Sequence, residues 1–250
     1  MNAINWSGIS RFSVIGRIVR APLALVPPAA ILRIRRGPAR GLRWISGSAT
    51  HGCWLGTYEL DKQRALARFI KPAMTIYDIG AQAGFYTLVF SRLTGASGRV
   101  IAFEPSPREL SFLLRHIAMN HLDNVTVITA AVSAHTGIAA FSTDRGATMN
   151  ALADRGSMMV GTISLDSAAL PPPALIKMDV EGAESMVLEG ARGTLRRARP
   201  IVFVALHSAY QKQVCSDLLR AEHYDLNDLS GAPISEIPAV AEIYATPAAL

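Results

Sequence analysis

No acidic side chain occurs between Met1 and Tyr58, although that stretch carries Arg11, Arg17, Arg20, Arg33, Arg35, Arg36, Arg40 and Arg43. The formal charge of +6 therefore belongs to the leader, and the rest of the chain is close to neutral. Such asymmetry points to an anionic partner of the N-terminal arm rather than of the domain. Cysteine is scarce as well: Cys53 and Cys215 lie far apart and fit neither a metal motif nor a disulfide framework. Both read as ordinary thiols of a reducing cytoplasm. Long hydrophobic runs are also missing. The leader's longest, "APLALVPPAAIL", is broken by Pro27 and Pro28 and falls short of the roughly 20 residues that span a bilayer. No clear cleavage site follows a signal-type core. A basic arm on an anionic membrane surface is one reading of the leader. A solvated or helical extension packed on the domain is the plainer one. A cytoplasmic protein, peripheral at the membrane if the arm binds lipid, is expected.

What is present is a core. Half of the 250 residues are hydrophobic and the mean hydropathy is +0.25, which excludes disorder throughout. After Glu59 strand-like and helix-like runs alternate. "GTYELDKQRALARFI" reads as a helix stopped at Lys71-Pro72, "MTIYDIG" as a strand, and "GFYTLVFSRL" as a helix ended by the glycines at 95 and 98. "RVIAFE" is a strand, "PRELSFLLRHIAMN" a helix and "NVTVITAAV" a third strand. Residues 133–161 loosen into turn residues, where irregular or hairpin structure is expected. "ALIKMDV", "AESMVLEGARGTLRRA", "PIVFVAL" and "QKQVCSDLLRAEH" continue as strand, helix, strand, helix, and the tail "PISEIPAVAEIYAT" offers one or two closing strands. The alternation implies an α/β fold with a mostly parallel central sheet and helices on both faces.

In such a sheet, ligands bind beyond the carboxyl ends of the strands, near the switch point in strand order. "YDIGAQAG" ends the first strand there. Gly80 permits a tight turn and close approach of a ligand, and Gly84 lets the next helix start close against the strand. Glu104, at the end of the second strand, is placed to hold a ribose diol. A nicotinamide cofactor would call for G-x-G-x-x-G, whereas the chain reads Gly80-Ala81-Gln82-Ala83-Gly84-Phe85. Asp78 would also crowd a diphosphate. It better suits a ligand with an ammonium group and no phosphate, such as S-adenosylmethionine (SAM). A third segment, "LIKMDVEGAE", brings Asp179 to the same rim, with Glu181 and Glu184 at a helix start. There Glu184 reads equally as first-turn capping. Asp179 with Glu181 could seat a divalent cation, but no second cluster supports one, and no metal is expected.

Together "YDIGAQAGFYTL", "VIAFEPSP", "NVTVITAAVS", "ISLDSAA" and "LIKMDVEGAE" resemble the FkbM-type family of SAM-dependent methyltransferases, from Gly56 to His207. The resemblance implies a class I methyltransferase (Rossmann-like) fold with an antiparallel strand near the C-terminus. It also implies a methyltransferase domain over residues 56–250, preceded by a basic extension over 1–55. Methyl transfer to a hydroxyl of a sugar, glycolipid or secondary metabolite follows, with a small-molecule or glycan acceptor. On that analogy Asp78, Gly80, Ala81 and Gln82 line the methionine end of the cofactor. Glu104 binds the ribose, Ala131 at the end of the third strand falls near the adenine, and Asp179 falls near the reacting methyl. Two departures stand out: Gln82 replaces a common asparagine, and Ala205 stands where relatives carry a glutamate before the histidine of "VALHSAY".

A hydroxyl acceptor must lose its proton, and Asp179 and His207 are the candidate bases at the rim. A histidine there could work near neutral pH without a large pKa shift. His51 reads as a surface-loop residue. A nucleic-acid methyltransferase using the Arg-rich arm and a non-catalytic SAM-binding protein are the alternatives. The first is disfavoured because "DVEG" stands where an amino-group enzyme would show an "NPPY"-like segment.

Overall fold

Strand β3 (Thr75–Ile79) buries Ile76, Tyr77, Asp78 and Ile79 in the middle of a seven-stranded sheet. The architecture described is that of a computed structural model, which describes residues 23, 25–142, 151–152, 156, 158–235 and 241–248. The arm before residue 23, and with it the proposed contact with lipid or an acidic partner, lies outside the described residues. The sheet has the order β12-β13-β11-β10-β3-β4-β5. Its members are β4 (Arg99–Phe103), β5 (Val125–Ile128), β10 (Leu175–Met178), β11 (Ile201–Leu206), β12 (Tyr224–Asp228) and β13 (Ala241–Pro247). Strands β5, β4, β3, β10 and β11 run parallel, and β13 is antiparallel to both β11 and β12. From β3 the order runs outward to β4 and β5 on one side and to β10 and β11 on the other. The switch point therefore falls between β3 and β10, where a ligand crevice is expected.

Helices cover both faces. On one face α5 (Glu184–Glu189), α6 (Arg192–Ala198) and α7 (Ala209–Ala221) bury Val187, Leu188, Leu195 and Leu219 against Tyr77, Ile176, Val202 and Val204. On the other, α2 (Leu60–Phe69) and α3 (Phe85–Thr94) bury Leu66, Leu88 and Val89 against Ile76, Val100, Leu175 and Phe203. The α4 helix (Pro107–Asn120) packs Leu113 on Ala81 and Ala102. Among the described residues no helix is long and apolar enough to cross a membrane.

Residues 31–55, which the sequence places in the basic extension, pack into the second of these cores. A small hairpin, β1 (Ile31–Arg33) and β2 (Arg43–Ile45), leads into a short helix, α1 (His51–Leu55). Trp44 is fully buried and stacks on the ring of His116 with centroids 4.0 Å apart. His116 accepts from Ile45 N–H through Nε2 at 2.9 Å, and its Nδ1 lies 2.7 Å from the carbonyl of Ala83. One neutral imidazole thus ties the hairpin to the glycine turn. Burial lowers its pKa to about 4.

Two sequence expectations are corrected. "NVTVITAAV" is not one strand: β5 ends at Ile128, and Ala131 opens β6 (Ala131–Val132) in a separate four-stranded sheet. That sheet, order β6-β9-β7-β8, is completed by β7 (Gly137–Ser142), β8 (Ala151–Leu152) and β9 (Met158–Ile163), so the described part of the loose stretch is largely antiparallel strand. "AESMVLEGARGTLRRA" is two helices rather than one. A Cβ on Gly190 would lie 2.1 Å from the carbonyl oxygen of Ser133, and Asp166 caps the second helix by accepting from Gly193 N and Thr194 N at 2.7 and 2.6 Å.

Candidate active site

The turn after β3 is built to be close and rigid. Gly80 sits at φ +70, and a Cβ there would lie 2.0 Å from the carbonyl oxygen of Asp179. No other residue type fits that position without moving β10. The N–H groups of Gly80 and Ala81 both donate to the carbonyl of Phe103, at 3.1 and 3.0 Å. The N–H of Gln82 donates to Glu104 Oε2 at 2.7 Å, and Glu104 Oε1 accepts from Ser106 N at 2.8 Å. The N–H groups of Gly80, Ala81 and Gln82 are thus all committed within the protein. Each Glu104 oxygen keeps further lone-pair capacity, so the carboxylate can still accept from a diol. Burial pushes its pKa up to about 7, against the pull of those two backbone donors.

Asp78 and Gly84, expected among the ligand contacts, lie behind this surface. Asp78 is fully buried, accepts from Thr87 Oγ1 at 2.6 Å and pairs with Lys177 Nζ at 3.2 Å. Lys177 also donates to the carbonyl of Gly80 at 3.0 Å, so this pair braces the turn from beneath. Gly84 packs toward α4, where a Cβ would meet Leu113 Cδ1 at 2.6 Å; its close approach is to a helix and not to the strand.

Opposite Glu104 the crevice ends in carboxylates. His207 Nε2 lies 3.5 Å from Asp179 Oδ1 and 3.6 Å from Glu181 Oε2, while its Nδ1 lies 2.8 Å from Glu184 Oε1. Glu184 has both roles suggested for it, since Oε1 also accepts from Gly182 N at 3.0 Å at the start of α5. The hydrogen bond to Glu184 raises the His207 pKa to about 9, more than burial lowers it. His207 is thus an imidazolium near neutral pH in the ligand-free protein, which corrects its expected role as a neutral base. Burial would raise the Asp179 pKa, but Lys177, Lys62 and His207 outweigh it and hold the carboxyl low.

Lys62, Glu59 and Glu242 complete this end, and sequence reasoning missed all three. Lys62 is buried, with Nζ 2.8 Å from Glu59 Oε2, in contact with Glu242 Oε1 and 3.9 Å from Asp179 Oδ2. Burial alone would lower its pKa; the three carboxylates reverse that and keep it charged. In the β11–β13 ladder Glu242 stands opposite Ala205, so a carboxylate arrives beside the position where the family resemblance leads one to expect a glutamate. Lys177 did leave a signal, as the one charge inside the buried run "LIKM".

Two connected hollows share Gly80, Gln82 and Asp179. One runs past Glu104, Ala131, Phe141 and Leu152; the other runs past Trp44, Thr50, Cys53, Tyr58 and Ala81. The geometry thus brings Gly80, Ala81, Gln82, Glu104, Ala131 and Asp179 to one crevice, with His207 beside Asp179. His51 opens α1 with its ring against Trp54 and does not line either hollow. The committed N–H groups and the carboxylate rim suit a nucleoside that carries positive charge and no phosphate.

Comparison with known proteins agrees with this geometry. The methyltransferase FkbM domain matches residues 78–231. A hexuronic acid methyltransferase of Haloferax volcanii is 26% identical over 167 residues, covering 64% of this chain and 67% of that protein. A crystal structure of methyltransferase FkbM from Methylobacillus flagellatus superposes with a TM-score of 0.50 at 18% identity, over 69% of this chain but only 43% of that one. A SAM-dependent O-methyltransferase of Thermotoga maritima superposes over 92% of this chain and 82% of its own, with a TM-score of 0.50 and 13% identity. Both structures carry the class I fold. With more than half its length matched, the chain belongs to the FkbM methyltransferase family.

Proposed function

We propose that this protein moves a methyl group from SAM to a hydroxyl of a sugar-bearing acceptor, with Glu104 at the ribose and Asp179 at the acceptor. The observation that carries the reading is the turn at Gly80 to Gln82, whose N–H groups are all committed to Phe103 and Glu104. A dinucleotide would find no donor there for its phosphates, whereas a cationic nucleoside meets a carboxylate at each end. A carbohydrate acceptor is supported by the relative that acts on hexuronic acid.

Bound SAM supplies a methyl on a sulfonium sulfur that leaves as a neutral thioether. The protein's part is placement: the Gly80 turn and the Asp179 wall hold the acceptor oxygen in line, an effect that can contribute several kcal/mol. As the new O–C bond forms, the hydroxyl becomes strongly acidic, so even the weakly basic Asp179 carboxylate can take its proton. A placed base of this kind is worth about 10² to 10⁴ in rate. His207, positively charged beside it, keeps Asp179 ionised and oriented.

The test is methyl transfer from labelled SAM to a panel of uronic acids and neutral sugars, free and lipid-linked. An alkali-stable methyl ether on sugar is expected, and Asp179→Asn should retain SAM but lose turnover. A methyl released by alkali would mean an ester on a carboxyl and would sink the hydroxyl assignment. Binding of NAD in place of SAM would sink the whole reading.

A further inference from the structure

We infer that Asp179, Glu181 and His207 form a site for one divalent cation of the manganese–magnesium class, at the acceptor end of the crevice. Each offers a donor atom, and the three atoms lie within 4.8 Å of one another. The contacts of His207 Nε2 with Asp179 and Glu181, at 3.5 and 3.6 Å, are too long for hydrogen bonds. They are close to the edges of a coordination shell, because bonds of about 2.1 Å at right angles separate neighbouring ligand atoms by about 3 Å. The two histidine contacts need to close by roughly half an ångström, and the two carboxylate oxygens, no more than 4.8 Å apart, need to draw in around the same ion.

Two further features point to an ion. Asp179 Oδ1 is closed to solvent and accepts no hydrogen bond, and Lys62 approaches only the other oxygen, at 3.9 Å. A buried carboxylate oxygen left this way calls for a cation. The imidazole is also already arranged as a ligand. Its Nδ1 is engaged by the fully buried Glu184, which Gly182 N anchors in turn, so Nε2 is aimed at the two carboxylates. An outer carboxylate on the far ring nitrogen is the usual partner of a metal-bound histidine. One nitrogen and two carboxylate oxygens make a hard-to-borderline set without thiolate, which favours Mn²⁺ or Mg²⁺ over copper. With three protein ligands, positions remain for water or for an acceptor oxygen.

The role of this ion rests on the methyl-transfer reading: when the ion binds, His207 releases its Nε2 proton to solvent and Asp179 becomes a ligand, so a coordinated hydroxyl loses its proton more readily and gives it to water rather than to Asp179. The competing account is a plain His207–carboxylate ion pair. Chelator-treated full-length protein is titrated with Mn²⁺ while the spectrum of the free ion is followed by electron paramagnetic resonance. Dialysis with labelled SAM in chelator tests the nucleotide end separately. One equivalent of Mn²⁺ is expected to bind. Glu181→Gln, a change at a partly exposed position, and His207→Gln should each weaken binding at least tenfold, whereas Asp61→Asn on exposed α2 should not. Failure to bind Mn²⁺ at up to about 1 mM overturns the site, as does an unchanged affinity in Glu181→Gln. SAM binding without Mn²⁺ binding would remove the ion and spare the methyl-transfer reading; the reverse would do the opposite.

Discussion

Glu104→Gln isolates the charge that is assigned to the ribose. The side chain is 4% exposed, and its two oxygens accept from Gln82 N and Ser106 N at 2.7 and 2.8 Å. Gln keeps the shape but offers one oxygen, so its amide must face one of those N–H groups donor to donor. Leaving that N–H unsatisfied costs about 1–3 kcal/mol. The ribose loses one charge-assisted bond, about 1.5–3 kcal/mol, so SAM should bind roughly ten- to a hundredfold more weakly.

The pH dependence has two opposite signs that the same titration checks. Burial raises the Glu104 pKa from 4.5 to about 7, so the folded, ligand-free protein holds a proton there that the unfolded chain releases earlier. The corresponding stability is complete below 4.5 and lost as pH rises through 7, by at most about 3 kcal/mol. SAM affinity runs the other way, tightening as the carboxylate forms and levelling above 7. Calorimetric titration with SAM and urea unfolding, both between about pH 5.5 and 8.5, read the two slopes. In Glu104→Gln both slopes should flatten. A SAM affinity that is equal in the two proteins and independent of pH would refute the placement of the ribose at Glu104.

His116 predicts a second pH effect. Its folded pKa, lowered to about 4, lies below the ordinary 6.5, so stability should hold above pH 6.5 and fall as pH drops toward 4. The loss reaches about 3 kcal/mol at most; it is read in Glu104→Gln, where the opposing slope of Glu104 is gone, and a flat urea profile there would mean the imidazole takes a proton without releasing the hairpin. Gly80→Ala places a methyl 2.0 Å from the Asp179 carbonyl at a backbone angle that side chains resist. It should depress the melting temperature by several degrees and weaken SAM binding, both readable in one thermal-shift series. A variant with wild-type melting and binding would show that β10 can yield there.

The central sheet was legible because its strands are short apolar runs closed by glycine, proline or an acid. "MTIYDIG" and "RVIAFEP" end where their patterns end, and Glu104 and Asp179 could be placed at strand ends from local sequence alone. Long-range capping was not legible. Nothing near Gly190 announces that Asp166 will cap Arg192–Ala198 from the far side of β10, so the two helices read as one. Thr129 and Ala130 give no warning that the chain leaves one sheet for another before Ala131. The site divides the same way. The acids were visible, but the partnerships of Lys62 with Glu242 and of His207 with Glu184 join residues 180 and 23 positions apart, respectively.

The matched family segment, 78–231, does not contain the whole crevice. It supplies Gly80, Glu104, Asp179 and His207, the residues that the proposed function sets around the nucleoside and the reacting methyl. Trp44, Thr50, Cys53 and Tyr58 line the second hollow and lie before it, and Glu242, the partner of Lys62, lies after it. Those preceding residues are not loosely attached: Trp44 is fully buried, and His116 bonds their hairpin to the glycine turn. On the proposed function, a nucleoside held at Glu104 would occupy the first hollow and an acceptor would approach Asp179 along the second. That proposal puts the chemistry in the shared segment and the acceptor wall in residues 44–58. Exchanging that wall between relatives should move acceptor preference while leaving SAM affinity within a few-fold, and a chimera that loses SAM instead would show that the two hollows are a single site.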